Sequence, residues 1–170
     1  LTTEAGGAVT VQVRLTSMPL STVTVTPTSS DNGEGQVSPD TLSFTNKSWN
    51  TYQTLTITGV DDNVTDGTQS YQIDFKLSTE DTKYSSLSVS SLSMSNKDDE
   101  VASVVVGTIS GNTTENGGTS TFTVKLNSQP EADVTISVSS SNTDEGTVNP
   151  SSLGFSSSNW NTNQTVTVTG

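Results

Sequence analysis

The chain contains neither cysteine nor histidine in its 170 residues. Disulfide stapling, thiol nucleophiles, the usual zinc sites and imidazole acid–base catalysis are therefore excluded together. Cations are also scarce, with six Lys and Arg against 18 Asp and Glu and a net charge of −12. Nucleic acid is excluded as a partner, because phosphate backbones draw their affinity from Lys and Arg, and an anionic membrane surface repels such a chain. No apolar stretch approaches the ~18–20 residues of a membrane-spanning helix, so membrane insertion by a helix is not expected. Apolar residues make up only 28% of the chain, well below the ~45–50% of ordinary globular domains. A disordered chain would share that deficit but would lack patterning, and here the apolar residues are patterned.

The pattern has period two. Val9, Val11, Val13 and Leu15 alternate with Thr10, Gln12 and Arg14, while Tyr71, Ile73, Phe75 and Leu77 alternate with Gln72, Asp74 and Lys76. Val23–Val25, Leu42–Phe44 and Leu55–Ile57 supply three more half-buried strands. Sixty residues are Ser or Thr, which suits strands that bury one face and solvate the other. Gly6-Gly7, Asp31-Asn32-Gly33, Asp66-Gly67 and Gly117-Gly118 punctuate the strands as turns. Leu87 and Val89 share a phase that Leu92 and Met94 do not, so a bulge is expected at Ser90-Ser91. No segment has a helical period. About seven short strands with regular turns predict an all-β, antiparallel, immunoglobulin-like sandwich with Greek-key connections.

The sequence also repeats itself. Residues 2–59 and 113–170 align without a gap at an offset of 111, with 28 identities in 58 positions. That period exceeds the 20–50 residues of solenoid units and fits duplication of a whole domain. Two tandem sandwiches are predicted, 1–98 and 99–170, hinged near residues 98–101. The first is expected to lack its opening strand. Its counterpart, Val101–Gly111, opens the second unit with Val104, Val106 and Ile109 inward. The second unit is expected to be incomplete, since nothing in it matches residues 60–98.

Nine of the 18 acidic residues lie between positions 60 and 100. In a sandwich, the loop after Gly59 and the terminal linker fall at one end. Asp61, Asp62 and Asp66 are then expected to meet Asp98 and Asp99, together with Glu4 or Glu115. Clustered carboxylates repel unless a cation neutralises them, and an all-oxygen set suits calcium. Solvated acidic loop tips without a metal are the bland alternative.

Glu4-x-Gly6-Gly7, Gly59-Val60-Asp61-Asp62-Asn63 and Asn96-Lys97-Asp98-Asp99-Glu100 together resemble the Calx-β repeat. The flavour is that of copies in giant bacterial surface proteins, in which the segments 44–49 and 66–71 also recur. The resemblance implies an immunoglobulin-like sandwich with calcium at the domain junction. By position it makes Glu4, Asp61, Asp62, Asp66, Asp98 and Asp99 the candidate ligands, in one or two weak sites.

Trp49 and Trp160 occupy equivalent repeat positions, which favours packing beside Phe44 and Phe155 over stacking on sugars. A carboxylate pair such as Glu34 and Asp40 could in principle serve a glycosidase, but its second-unit counterpart is Glu145 and Ser151. No catalytic residues are assigned, and the chain is not expected to be an enzyme. The expected role is a structural segment of an extracellular or cell-surface repeat protein: a stalk, spacer or fibre with calcium-stiffened junctions. Its expected partners are neighbouring repeats or identical chains. Two rivals remain: an adhesin module binding glycan or a surface protein through its loops, and a filament subunit completed by strand addition from neighbouring chains.

Overall fold

The computed structural model describes all residues, Leu1–Gly170. The chain is all-β apart from a single four-residue helix. Packing divides it into Leu1–Asp62 with Asp66–Asp99, and Asn63–Thr65 with Glu100–Gly170.

In the first unit the strands are β1 (Thr2–Thr3), β2 (Ala8–Val13), β3 (Val23–Ser29), β4 (Gly35–Ser38), β5 (Leu42–Phe44), β6 (Gln53–Gly59), β7 (Gln69–Ser78) and β8 (Leu92–Lys97). Helix α1 (Thr82–Ser85) lies between β7 and β8. One sheet has the order β1-β8-β7-β3-β5 and the other β2-β6-β4. All their pairings are antiparallel except β1 with β8, which sets Thr2 opposite Asn96. Each connection from β3 through to β7 crosses from one sheet to the other, which is what packs the two faces together. The alternation read from the sequence is the buried face: Val23, Val25, Leu42, Phe44, Tyr71 and Ile73 from one sheet meet Leu55 and Ile57 from the other. Phe44, Leu55, Ile57 and Ile73 are fully buried, each contributing roughly 1.5–3 kcal/mol relative to exposure.

The second unit contains β9 (Val104–Val106), β10 (Thr119–Leu126), β11 (Val134–Ser137), β12 (Thr147–Asn149), β13 (Ser152–Phe155) and β14 (Gln164–Thr169). Its sheets are β12-β14-β10-β9 and β11-β13. Residues 63–65 join it: Val64 bridges Gln129 in parallel, and Gln129 N–H donates to the Asn63 carbonyl at 2.7 Å. Its core is Val124, Leu126, Leu153, Phe155 and Val166.

The duplication extends to hydrogen-bond register. Ala8 faces Thr58 as Thr119 faces Thr169, and Val23 faces Phe44 as Val134 faces Phe155. Leu15 N–H donates to the Trp49 carbonyl at 2.9 Å, and Leu126 N–H to the Trp160 carbonyl at 2.8 Å. Both indoles pack against their cores, as repeat equivalence predicted. Gly6 and Gly117 share a left-handed φ of 78° and 82°, the conformation that a Glu-x-Gly-Gly turn reserves for glycine. Cis peptide bonds precede Pro39 and Pro150, again 111 residues apart.

Local expectations fail in three places. No bulge forms at Ser90-Ser91, because the chain between α1 and β8 is not strand at all, and Leu87 and Val89 are exposed. A helical turn, Thr82–Ser85, occurs where none was expected. The inward valines of the 101–111 segment are not inward: β9 covers only Val104–Val106, and Val104, Val105, Val106 and Ile109 are all exposed. The opposing sheet of that unit has two strands, too few to cover β9.

Candidate functional site

The acidic residues of the first unit are positioned by turns at one end of its sheets. Asp31 caps the turn before β4, its Oδ1 accepting from Gly33 N–H at 2.9 Å and its carbonyl from Gly35 N–H at 3.1 Å. This turn presents Glu34, whose carbonyl accepts from Val60 N–H at 3.2 Å. Asp62 follows β6, and Asp66 precedes Gly67, whose φ of 78° reverses the chain. Glu34, Asp62 and Asp66 each bring a carboxylate oxygen within 4.8 Å of the other two. Oxygens on one calcium ion, bound at 2.3–2.6 Å, lie at most about 5 Å apart, so the spacing suits a shared ion.

Two further observations concern this cluster. Asp66 Oδ1 is buried and has no hydrogen-bond partner, an unusual state for a carboxylate oxygen. Burial raises the Glu34 carboxyl above its ordinary 4.5, and the negative charges of Asp66, Asp31 and Asp62 add to the rise, against a lowering by the Asn96 side chain. Asn96 is fully buried in β8, its amide donating to the Val60 carbonyl at 2.9 Å and to Glu34 Oε2 at 3.4 Å. Its Oδ1 lies where a Cβ on Gly59 would collide with it and with the Thr3 carbonyl. The local chemistry is therefore three oxygen donors, a buried orphan oxygen and a mutual repulsion that a hard cation would relieve.

The other predicted ligands belong to two further acidic groups. Glu4 is buried, and its carboxylate comes within 4.8 Å of Asp98. Asp98 Oδ2 accepts from Gly67 N–H at 2.6 Å. Asp61 and Asp99 likewise approach within 4.8 Å. Of the expected set, Asp62 and Asp66 thus lie with Glu34, Asp98 with Glu4, and Asp61 with Asp99, while Glu115 is exposed in the second unit. Sequence reasoning placed Asp62 and Asp66 in the set and overlooked Glu34. The signal was the turn Asp31-Asn32-Gly33-Glu34-Gly35, since Gly35 pairs with Gly59 beside the Val60–Asp62 loop.

No protein-family model matches the chain, and no curated protein sequence does. Among solved structures, the chain is similar to a chaperone–tip adhesion subunit pre-assembly complex from archaic chaperone-usher Csu pili of Acinetobacter baumannii. The identity is 16% and the TM-score 0.42, over 92% of this chain and 76% of that one. It is also similar to SSP-19, an MSP-domain protein like family member of Caenorhabditis elegans, with 10% identity and a TM-score of 0.38 over 56% of this chain and 90% of that one.

Proposed function

We propose that the chain is a structural segment of an extracellular repeat protein, a stalk, spacer or fibre. In this reading calcium braces the acidic end of the first sandwich. The observation that carries it is the reproduction of the β2–β6, β3–β5 and β4–β6 registers at an offset of 111 residues. A fold copied strand for strand is what a spacer needs: each copy resists extension through the same ladder of backbone hydrogen bonds. A chain without His or Cys has little with which to build a nucleophile or a neutral-pH base, so the role is mechanical and not catalytic. The Calx-β resemblance agrees with it, as does the Ser- and Thr-rich, cysteine-free surface.

Glu34, Asp62 and Asp66 would hold the ion, and the orphan Asp66 Oδ1 would gain a partner. Extracellular calcium modules bind at about 10⁻⁴–10⁻³ M, so millimolar calcium adds only about 1 kcal/mol by mass action. The expected outcome is a rise of a few degrees in melting temperature on adding millimolar calcium to chelator-treated protein. Glu34→Gln combined with Asp66→Asn should abolish that rise. If the melting curve is the same with calcium and with chelator, the calcium part of the reading fails.

A further inference from the structure

Tyr52, at 57%, is the one exposed aromatic ring in the chain, and Arg14 is the chain's single arginine. The two lie together. Val13 faces Gln53 and Gln12 faces Thr54 in the β2–β6 ladder, so Arg14 comes opposite Tyr52. Leu55 and Ile57 belong to the core, which puts Tyr52 and Thr54 on the outer face of that sheet. The Arg14 guanidinium sits 4.8 Å from the centroid of the Tyr52 ring, a cation–π contact. On the same face the Gln12 amide donates to Thr54 Oγ1 at 2.8 Å.

The fold does not require this corner. Its frame is identical in the two copies, Trp49-Asn50-Thr51 and Gln53-Thr54 recurring as Trp160-Asn161-Thr162 and Gln164-Thr165. At the corner itself, Thr123, Lys125 and Asn163 stand where the first copy has Gln12, Arg14 and Tyr52. The second unit still forms the same register, Val124 facing Gln164 as Val13 faces Gln53, so the ladder does not depend on the ring. Nor does a free strand edge explain the exposure. Asn163 is exposed in the unit whose β10 is flanked by β9. An exposed ring with a cation fixed on it, in one copy only, is a feature that stability leaves unexplained.

We propose that Arg14, Tyr52, Gln12 and Thr54 form a shallow binding site for a pyranose that carries a carboxylate, a uronic acid unit of a glycan. The guanidinium presents N–H donors in a planar fork that matches a carboxylate bidentately. Its contact with the ring holds that fork in place, so less side-chain freedom is lost on binding. The ring supplies apolar area for the C–H face of the sugar, and Gln12 and Thr54 supply amide and hydroxyl groups for its hydroxyls. Nucleic acid and other dense polyanions are repelled by the net charge of −12, whereas one carboxylate needs only one cation. The seven residues of β6 separate this corner from the Glu34 cluster, roughly 23 Å. That is nearly three screening lengths of about 8 Å at physiological salt, so the acidic end does not cancel the guanidinium. This goes beyond the spacer reading, since it gives the first unit a ligand of its own and does not involve calcium.

The test titrates residues 1–170 with methyl glucuronide and, separately, with methyl glucoside, which lacks the carboxylate, and follows amide and side-chain NMR shifts. Saturable shifts are expected at Gln12, Arg14, Tyr52 and Thr54 with the glucuronide, and none at Thr123, Lys125 and Asn163. The dissociation constant should be on the order of 1 mM, as an open platform implies, and the glucoside should bind about tenfold more weakly or worse, for want of the charge-assisted pair. Arg14→Gln should bring the glucuronide down to the affinity of the glucoside, and Tyr52→Ala should abolish both. Both side chains are exposed, so neither variant should change the melting temperature. Tyr52→Phe should bind as the parent chain does. Absence of shifts at glucuronide concentrations well above that constant overturns the proposal, as does equal affinity for the glucoside. Acetate acting on the same residues as strongly as the glucuronide overturns it too, because the ring then takes no part. Shifts that survive Tyr52→Ala place the ligand elsewhere and have the same force. None of these outcomes bears on the calcium-dependent melting shift.

Discussion

Asn96 and Glu34 set the electrostatics of the first unit's acidic end. The Asn96 amide is the donor that satisfies the buried Val60 carbonyl and touches Glu34 Oε2. Asn96→Ala should cost about 1–3 kcal/mol in denaturant unfolding, since a buried carbonyl is left without its donor. A loss under a few tenths would show that solvent reaches Val60. Glu34 makes a prediction in pH. Its carboxyl is raised by burial first and by Asp66, Asp31 and Asp62 after that, so the folded chain holds this proton more tightly than the unfolded chain does. The resulting stability is fully present below the ordinary value of 4.5 and is lost as pH rises through the raised value. In chelator, melting temperature should therefore rise as pH falls from neutrality toward the raised value, and Glu34→Gln should flatten that part of the profile. In calcium the two cations compete, and the melting shift from calcium should shrink over the same window.

At the scale of elements, period two was legible wherever a strand is half buried, because alternation is the direct imprint of a pleated sheet with one dry face. Tyr71 and Ile73 in β7 and Leu42 and Phe44 in β5 are buried as their spacing requires. The turn of α1 was not legible, since four residues cannot display a period of 3.6. It is held by capping and by long-range bonds. Asp81 accepts from Lys83 N–H at 3.0 Å and from Leu20 N–H at 2.7 Å, while the Tyr84 hydroxyl donates to the Ser17 carbonyl at 2.6 Å. Asp81→Ala should cost about 1–2 kcal/mol through the lost cap, and Tyr84→Ala about 3–5 kcal/mol through the emptied site. Tyr84→Phe should retain most of that packing. If Tyr84→Ala is neutral, the helix is surface decoration and the Asp81–Leu20 bond alone anchors the loop. Glu34 escaped the sequence reading for a related reason. It lies 28 residues before Asp62, and only the β4–β6 pairing brings the two together.

At the scale of the whole molecule, the two units share a plan and differ in the size of their cores. The first buries Leu15, Val23, Val25, Leu42, Phe44, Leu55, Ile57, Tyr71, Ile73 and Tyr84, whereas the second buries Val124, Leu126, Leu153, Phe155 and Val166. The equivalents of Val23 and Val25 illustrate the difference: Val134 and Ile136 are only partly buried. β3 lies between β7 and β5, while β11 has β13 alone. A strand paired on one edge over a smaller core opens at lower free energy, so unfolding should occur in two steps, the second unit first. Phe155→Ala and Phe44→Ala separate the steps, because each removes a fully buried ring from one core only. The first substitution should lower the early transition and leave the late one in place. The second should lower the late transition by about 3–5 kcal/mol. Amide exchange measured in parallel should find Val134–Ser137 open well before Val23–Ser29. A single transition shifted equally by either substitution would show that the units unfold as one cooperative body, and that the disparity in core size does not govern stability.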